Sequence, residues 1–237
     1  MILLSLSVVS LFSILLYAYH SIAYLQTRHE LGRQVLILTA HPDDECMFFG
    51  PTITSLLHSK SRLHLLCLST GNADGLGDVR KRELRKSGQI LGISHIKSMD
   101  HPDLQDGMKN QWDAKLIAEI VKDYATKHKI DTIITFDDKG VSGHANHIAC
   151  YKGANQASGI QLYRLVSIPL VRKYIGVLDL LLSMKDNTEM TFISPPLAYL
   201  LTHKAMRQHN SQLVWFRWLY VTFSRFMFIN HLEDSKE

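Results

Sequence analysis

The sequence predicts an α/β domain, a largely parallel sheet flanked by helices, preceded by a transmembrane helix. Three observations carry that expectation. Apolar runs at 34–40, 62–69 and 130–136 are separated by segments of helical character, and strand–helix–strand alternation argues for parallel pairing. The first run ends in His41-Pro42-Asp43-Asp44-Glu45, and the third shortly precedes Ser142-Gly143-His144-Ala145-Asn146-His147. Residues 2–25 contain no Asp, Glu, Lys or Arg.

The N-terminal stretch comes first. At ~1.5 Å per residue, its 24 residues make a helix of about 36 Å, enough to cross a bilayer core with some tilt. Tyr17, Tyr19 and Tyr24 gather at its C-terminal end, where an aromatic belt would lie. A cleaved signal peptide is the rival, but no basic residue precedes the stretch and it is too long for an h-region. Residues 1–25 are therefore expected to be an anchor and 26–33 a polar linker. Arg28 and Arg33 follow the span, so the positive-inside rule places residues 34–237 in the cytosol.

Within that domain, 46–60, 79–91 and 112–128 are expected helices. Leu116, Ile117, Ile120, Val121 and Tyr124 fall on one face of the last. Beyond about residue 160 the pattern weakens. Segments 161–170 and 189–194 have strand character, and 174–184 is a short apolar run holding Asp179. The tail from Leu213 to Ile229 is very aromatic and reads as a helix. Either it packs on the domain, or it lies on a membrane with Trp215 and Trp218 at headgroup level and Arg217 and Arg225 toward phosphates.

Composition narrows the function. Apolar residues make up 46% of the chain, which is globular rather than disordered. A net charge of +4 does not call for a nucleic-acid partner. Cys46, Cys67 and Cys150 are odd in number and sit in or beside apolar segments, as small buried hydrophobes in a reducing compartment do. Of the 13 histidines, His20, His58, His64 and His231 lack a partner pattern and are expected to be structural or on the surface.

The two polar clusters carry the chemistry. Ligands collect at the carboxyl ends of strands in open α/β folds. Zinc hydrolases typically use three protein ligands and leave a position for water. His41 and Asp44 are close enough in sequence for one turn to aim both at an ion, and His147 is the best third ligand. Asp43 then sits beside the ion, where it could accept a proton from water. His144 could stabilise an oxyanion or protonate a leaving nitrogen, and Asn146 could orient an imidazole. Taken alone, His-Pro-Asp-Asp-Glu also suits a capped turn before a helix. The glycines at 71, 75 and 77 permit close backbone approach before a helix with Asp78 as expected cap. Asn72 and Arg80 are the expected substrate contacts there. Asp103 and Asp106 read as turn residues after a possible short strand.

These residues resemble a known family. AHPDDECMFFGPTI at 40–53, FDDKGVSGHANHIA at 136–149, the Gly-Asn-rich segment 71–84 and HNSQLVWFR at 209–217 look like the N-acetylglucosaminyl-phosphatidylinositol de-N-acetylases of the LmbE-like zinc deacetylase superfamily. The resemblance covers about residues 34–230 and includes the anchor. It implies a Rossmann-like LmbE fold and a divalent metal, zinc, held by His41, Asp44 and His147. It also implies Asp43 as base, His144 as electrostatic stabiliser, and GlcNAc-phosphatidylinositol, a glycolipid, as substrate. The expected setting is the endoplasmic reticulum membrane, at an early step of glycosylphosphatidylinositol-anchor synthesis. Two positions depart. Ser142 stands where bacterial thiol-pathway relatives carry Tyr, so more work falls on His144. Lys139 stands where the eukaryotic enzymes usually have Gly. The alternatives are a non-catalytic glycolipid-binding or scaffold relative, and a deacetylase of a soluble amino-sugar conjugate.

Overall fold

The computed structural model describes residues 13–23, 31–59, 61–107, 109–157, 159–184 and 190–235. In chain order the elements are α1 (13–23), β1 (Gln34–Thr39), α2 (Asp44–Met47), α3 (Gly50–Leu56), β2 (Arg62–Cys67), α4 (Gly77–Ile90), β3 (His95–Ser98), α5 (Ala114–His128), β4 (Thr132–Phe136), α6 (Gly140–Gly143) and α7 (Ala145–Gln156). They continue with β5 (Gln161–Leu165), α8 (Leu170–Lys173), α9 (Leu180–Ser183), β6 (Met190–Ile193), α10 (Pro196–Met206), α11 (Trp215–Phe223) and β7 (Ile229–Asp234).

One seven-stranded sheet orders them β3-β2-β1-β4-β5-β7-β6. The first five strands pair in parallel, and β7 runs antiparallel to both its neighbours. The expected largely parallel α/β sheet is therefore present. β1 is apolar along its length because both faces are covered: Val35, Leu36, Ile37 and Leu38 have no exposed surface, as a central parallel strand requires. Right-handed crossovers toward β2 and β3 place α3 and α4 on one face, and those through β4 and β5 place α5 and α7 on the other. Strand order reverses between β1 and β4, and a crevice at such a switch point is where open α/β sheets bind ligands.

Several expectations are corrected. The helix over 46–60 is two, α2 and α3, parted at Phe48–Phe49 because Gly50 and Pro51 start a new one. Asp78 lies inside α4; the residue at its N-cap is Leu76, and the Asn72 side chain accepts the Gly77 N–H at 2.9 Å. The aromatic tail is not one helix. α11 stops at Ser224, whose hydroxyl accepts the Phe226 N–H, and the chain dives into the core at Phe226 and Met227 before forming β7. Arg225 faces no solvent. It is wholly buried and pairs with Asp179, which Arg172 also grips at 2.7 Å.

The expected span 2–25 lies largely outside the described residues, as does most of the linker. Its described part, α1, is helical and packs Ala23, Tyr19 and Ile22 against Leu180, Ile193 and Ile229. Among the described residues no helix is long and apolar enough to cross a membrane.

Candidate active site

The loop after β1 is held by its own carboxylates. Asp44 Oδ2 accepts the backbone N–H of Ala40 at 3.0 Å and of His41 at 2.8 Å. Glu45 Oε2 accepts the Asp43 N–H at 3.1 Å. This wraps the chain tightly enough to force Asp43 to φ 108°, a region that non-glycine residues rarely enter and that marks stored strain. Glu45 is itself fixed from behind. Its Oε1 accepts from Ser87 Oγ at 2.5 Å and meets His209 Nε2 at 2.7 Å, with no solvent exposure on either side chain.

Asp137 organises the loop after β4. It accepts from the N–H groups of Lys139 and Gly140 and from both the backbone and hydroxyl of Ser167, just beyond β5. Lys139 adopts φ −96°, which any residue tolerates, so its departure from glycine costs the loop nothing. The left-handed positions are Gly140 at φ 57°, Gly143 at φ 74° and, between them, Val141 at φ 65°. Val141 is strained there as a β-branched residue. Each of the two loops thus holds a strained residue.

Two of the three imidazoles, His147 and His144, are pinned in defined tautomers. His147 Nδ1 faces the Gly140 carbonyl at 3.2 Å and so carries the proton. Its Nε2 keeps a lone pair, is buried without a hydrogen-bond partner, and stands 3.3 Å from Asp44 Oδ1. The ring stacks on Phe136 at 3.9 Å between centroids. His144 caps α7, its Nδ1 accepting the Asn146 N–H at 3.3 Å, so the neutral ring carries its proton on Nε2 and presents a donor there. His41 Nε2 lies 3.0 Å from Asp106 Oδ1, an acceptor, and 3.1 Å from Asn146 Nδ2, a donor, while Nδ1 is on the side of Asp44, 3.8 Å from Oδ2.

Ring nitrogens of His41, His144 and His147 lie within 4.8 Å of one another. Three imidazoles, the Asp44 carboxylate and an orphaned buried Nε2 fit a divalent ion of the nitrogen- and oxygen-seeking kind. Tautomers separate the roles. His147 Nε2 offers a lone pair, and His144 offers an N–H. Glu45, Cys46 and His209 also lie within ligand distance of each other, but the Glu45 carboxylate is saturated by internal hydrogen bonds.

Charge is arranged to match. Burial opposes ionisation of Asp44, yet His147 and His41 hold its pKa well below the usual carboxylate range. Burial pushes the Asp43 carboxyl up, against the pull of Arg217 and Arg80. Arg217 Nη2 lies 3.4 Å and Arg80 Nη2 3.7 Å from Asp43 Oδ2, which has no hydrogen-bond partner. Burial, His147 and His41 depress the His144 pKa to about 4. Burial works against a charged His41, but the Asp106 hydrogen bond and the nearby carboxylates raise its pKa.

A cavity of about 420 Å³ opens over this cluster, with His41, Asp43, Asp44, His144 and His147 on its wall. That volume lies in the range of small-molecule sites, ~300–1,000 Å³.

The comparisons with known proteins follow the same residues. The model of the PIG-L family, GlcNAc-PI de-N-acetylase, matches residues 36–158. The chain is 38% identical over 236 residues to the probable N-acetylglucosaminyl-phosphatidylinositol de-N-acetylase of Schizosaccharomyces pombe, covering 91% of this chain and 95% of that one. It is 39% identical over 210 residues to the N-acetylglucosaminyl-phosphatidylinositol de-N-acetylase of Bos taurus, covering 85% and 83%. The chain belongs to the N-acetylglucosaminyl-phosphatidylinositol de-N-acetylase family. Among solved structures, the N,N'-diacetylchitobiose deacetylase of Pyrococcus horikoshii superposes with a TM-score of 0.60 over 92% of this chain and 91% of that one, at 14% identity. It shares the fold.

Within this family member, the structure gathers His41, Asp43, Asp44, His144, Asn146 and His147 as the sequence suggests. Arg80 lines the cavity; its guanidinium donates to the carbonyls of Pro42, at 2.7 Å, and Gly71, at 3.0 Å, and its Nε is buried without a hydrogen-bond partner. Gly71 has to be glycine: φ is +66°, and a Cβ would come within 2.5 Å of that guanidinium. Asn72 is exposed and away from the cavity wall, whereas nearby Asp74 is on it. Asp103 is an exposed turn residue, as expected. Asp106 is not merely one: it bonds His41 and lies 3.5 Å from Arg80. Ser142 is exposed and lines the mouth.

Proposed function

We propose that this chain hydrolyses the acetamide of GlcNAc-phosphatidylinositol, giving acetate and GlcN-phosphatidylinositol, an early step of glycosylphosphatidylinositol-anchor synthesis. The observation that carries the reading is the pair of unspent buried atoms in the cavity, His147 Nε2 and Asp43 Oδ2, in a chain of this family. His41, Asp44 and His147 would hold the divalent ion, with zinc favoured by their nitrogen and oxygen donors. When bound, such an ion polarises a carbonyl and acidifies water.

The chain's own groups do the rest. Asp43 is the base: its Oδ2 is free to take a proton, and its raised pKa makes it a better acceptor at neutral pH. Arg217 and Arg80 keep it oriented without bonding that oxygen. His144 presents Nε2–H to the cavity, where it can donate to the carbonyl oxygen as negative charge develops. Asp106 and Asn146 hold the His41 ring from its far nitrogen. Nothing in this constellation is lost, which weighs against a non-catalytic scaffold.

The reading also places the chain at the endoplasmic reticulum membrane, anchored by residues 2–25 with residues 30–237 cytosolic. Its support is the charge asymmetry around that span, three unpaired cysteines and an apolar face beside the cavity. Leu170 and Val171 are 71% and 77% exposed, next to cavity-lining Lys173 and Tyr174, and Trp215 is 75% exposed, next to cavity-lining Arg217. Exposed apolar surface of this kind marks a membrane or partner face. A soluble amino-sugar substrate would have no use for it. The test is acetate release from GlcNAc-phosphatidylinositol by the purified chain, with and without a chelator. Turnover that survives metal removal, or none on this substrate, would refute the reading.

A further inference from the structure

The proposed substrate carries its one permanent charge on the phosphodiester, between the sugar head and the acyl chains. Three cationic side chains line the cavity: Arg80, Arg217 and Lys173. Two are already engaged. Arg80 donates to two carbonyls and lies near Asp43 and Asp106. Arg217 pairs with Asp43 and reaches Met47 Sδ.

Lys173 differs. It is only 5% exposed, yet its ammonium has no carboxylate, carbonyl or hydroxyl partner among the described residues. It has only the rings of Tyr174 and Tyr220, at 5.6 and 5.8 Å from Nζ. A largely desolvated charge without a counter-ion is costly, and the cation–π contacts offset only part of that. Burial accordingly lowers the Lys173 pKa, with no carboxylate opposing it. An anion entering the cavity would remove the penalty.

Its place in the fold suits that anion. Lys173 ends α8, the helix that begins with the exposed Leu170 and Val171. It lines the same cavity as the imidazoles, on the short helix that carries those exposed apolar residues. Arg172, its neighbour, is turned away and held by Asp179 at 2.7 Å.

The geometry points to Lys173 as the group that binds the substrate's phosphodiester and so selects phosphate-linked GlcNAc over the phosphate-free sugar–inositol. This rests on the substrate proposed above. Lys173 is a binding residue and takes no part in bond breaking.

The experiment uses the full chain, metal-loaded, as wild type, Lys173→Met and Lys173→Arg. Two water-soluble substrates are compared: deacylated GlcNAc-phosphatidylinositol, which keeps the phosphodiester, and GlcNAc-inositol, which lacks it. A hydrogen bond to a charged group is worth about 1.5–3 kcal/mol, so Lys173→Met should raise KM for the first about 10–150-fold. It should leave kcat/KM for the second within about twofold, and Lys173→Arg should restore most of the loss. Equal losses on both substrates, or none on either, would overturn the proposal. If the wild type deacetylates neither substrate, the proposed reaction fails, and calorimetry still decides Lys173. Glycerophosphoinositol should bind the wild type and Lys173→Arg but not Lys173→Met; inorganic phosphate binding equally well would show a site for free phosphate rather than for the headgroup, and overturn the assignment.

Discussion

Two buried knots of histidine and carboxylate sit back to back in this molecule, and they behave oppositely. In front, His41, Asp43, Asp44, His144 and His147 face a cavity and leave Asp43 Oδ2 and His147 Nε2 without hydrogen bonds. Behind, Glu45, Cys46, Ser87 and His209 close on one another, and only His209 Nδ1 is left over. Residues 43, 44 and 45 are consecutive acids, yet two serve the front knot and one the back. Buried polar atoms are normally satisfied. An unsatisfied pair facing space is held ready for a ligand, whereas a saturated network holds the chain in place. Residue type alone does not separate the two; the count of unspent lone pairs does.

The largest test removes a donor from the front knot. His147→Ala should abolish both stoichiometric metal and turnover, because Nε2 is the lone pair left free when Nδ1 donates to Gly140. Elemental analysis of the purified variant decides it, and a full metal complement would exchange the roles of His147 and His144.

Next is Asp43→Asn, which should keep the metal and lose about 10²–10⁴ in kcat, the usual worth of a general base. Near-normal turnover with stoichiometric metal would remove Asp43 from the chemistry. Then comes His144→Ala, expected to keep the metal and lose about 10²–10³ in kcat, as for one oxyanion donor. Loss of metal instead would make His144 a ligand, as its distance from His41 and His147 permits.

The front knot was largely legible in the sequence, and the physical reason is its position. β1 and β4 are central parallel strands, so they read as unbroken apolar runs, and the polar residues that end them stand out. Asp106 was not legible. It sits in a loop whose local pattern is a turn, and only the folded chain brings it to His41. Glu45 and His209 were hidden in the same way, since a satisfied buried pair has no spacing rule. β7 was missed because its Asn230 and His231 are polar yet buried, compensated by Thr52, Phe48 and Arg225. β3, His95–Ser98, is a short edge strand whose one apolar residue, Ile96, packs on the core, too little for an alternating pattern to show. The aromatic tail hid its break at Ser224, because a continuous run of large apolar residues carries no period that shows where a helix stops.

The smallest effect on rate belongs to the back knot, whose variants act on stability instead. Glu45→Gln should leave the His209 charge buried without its partner, a change that typically costs about 3–5 kcal/mol, while chemistry in surviving folded protein is less affected than in the front-knot variants. The pH dependence has a definite sign. Burial favours neutral forms of both partners, but their mutual attraction wins, lowering the Glu45 pKa and raising that of His209. Glu45 contributes stability above its ordinary value of 4.5 and loses it as pH falls through its depressed pKa. His209 contributes fully below its ordinary value of 6.5 and loses that contribution as pH rises through its raised pKa. The wild type's advantage over a Glu45→Gln/His209→Gln double variant should therefore be greatest between those two ordinary values and shrink on both sides of them. Melting temperatures of both proteins across that range measure it. An advantage that grows with pH above 6.5 would mean the pair is not ionised, and that the back knot is held by neutral hydrogen bonds alone.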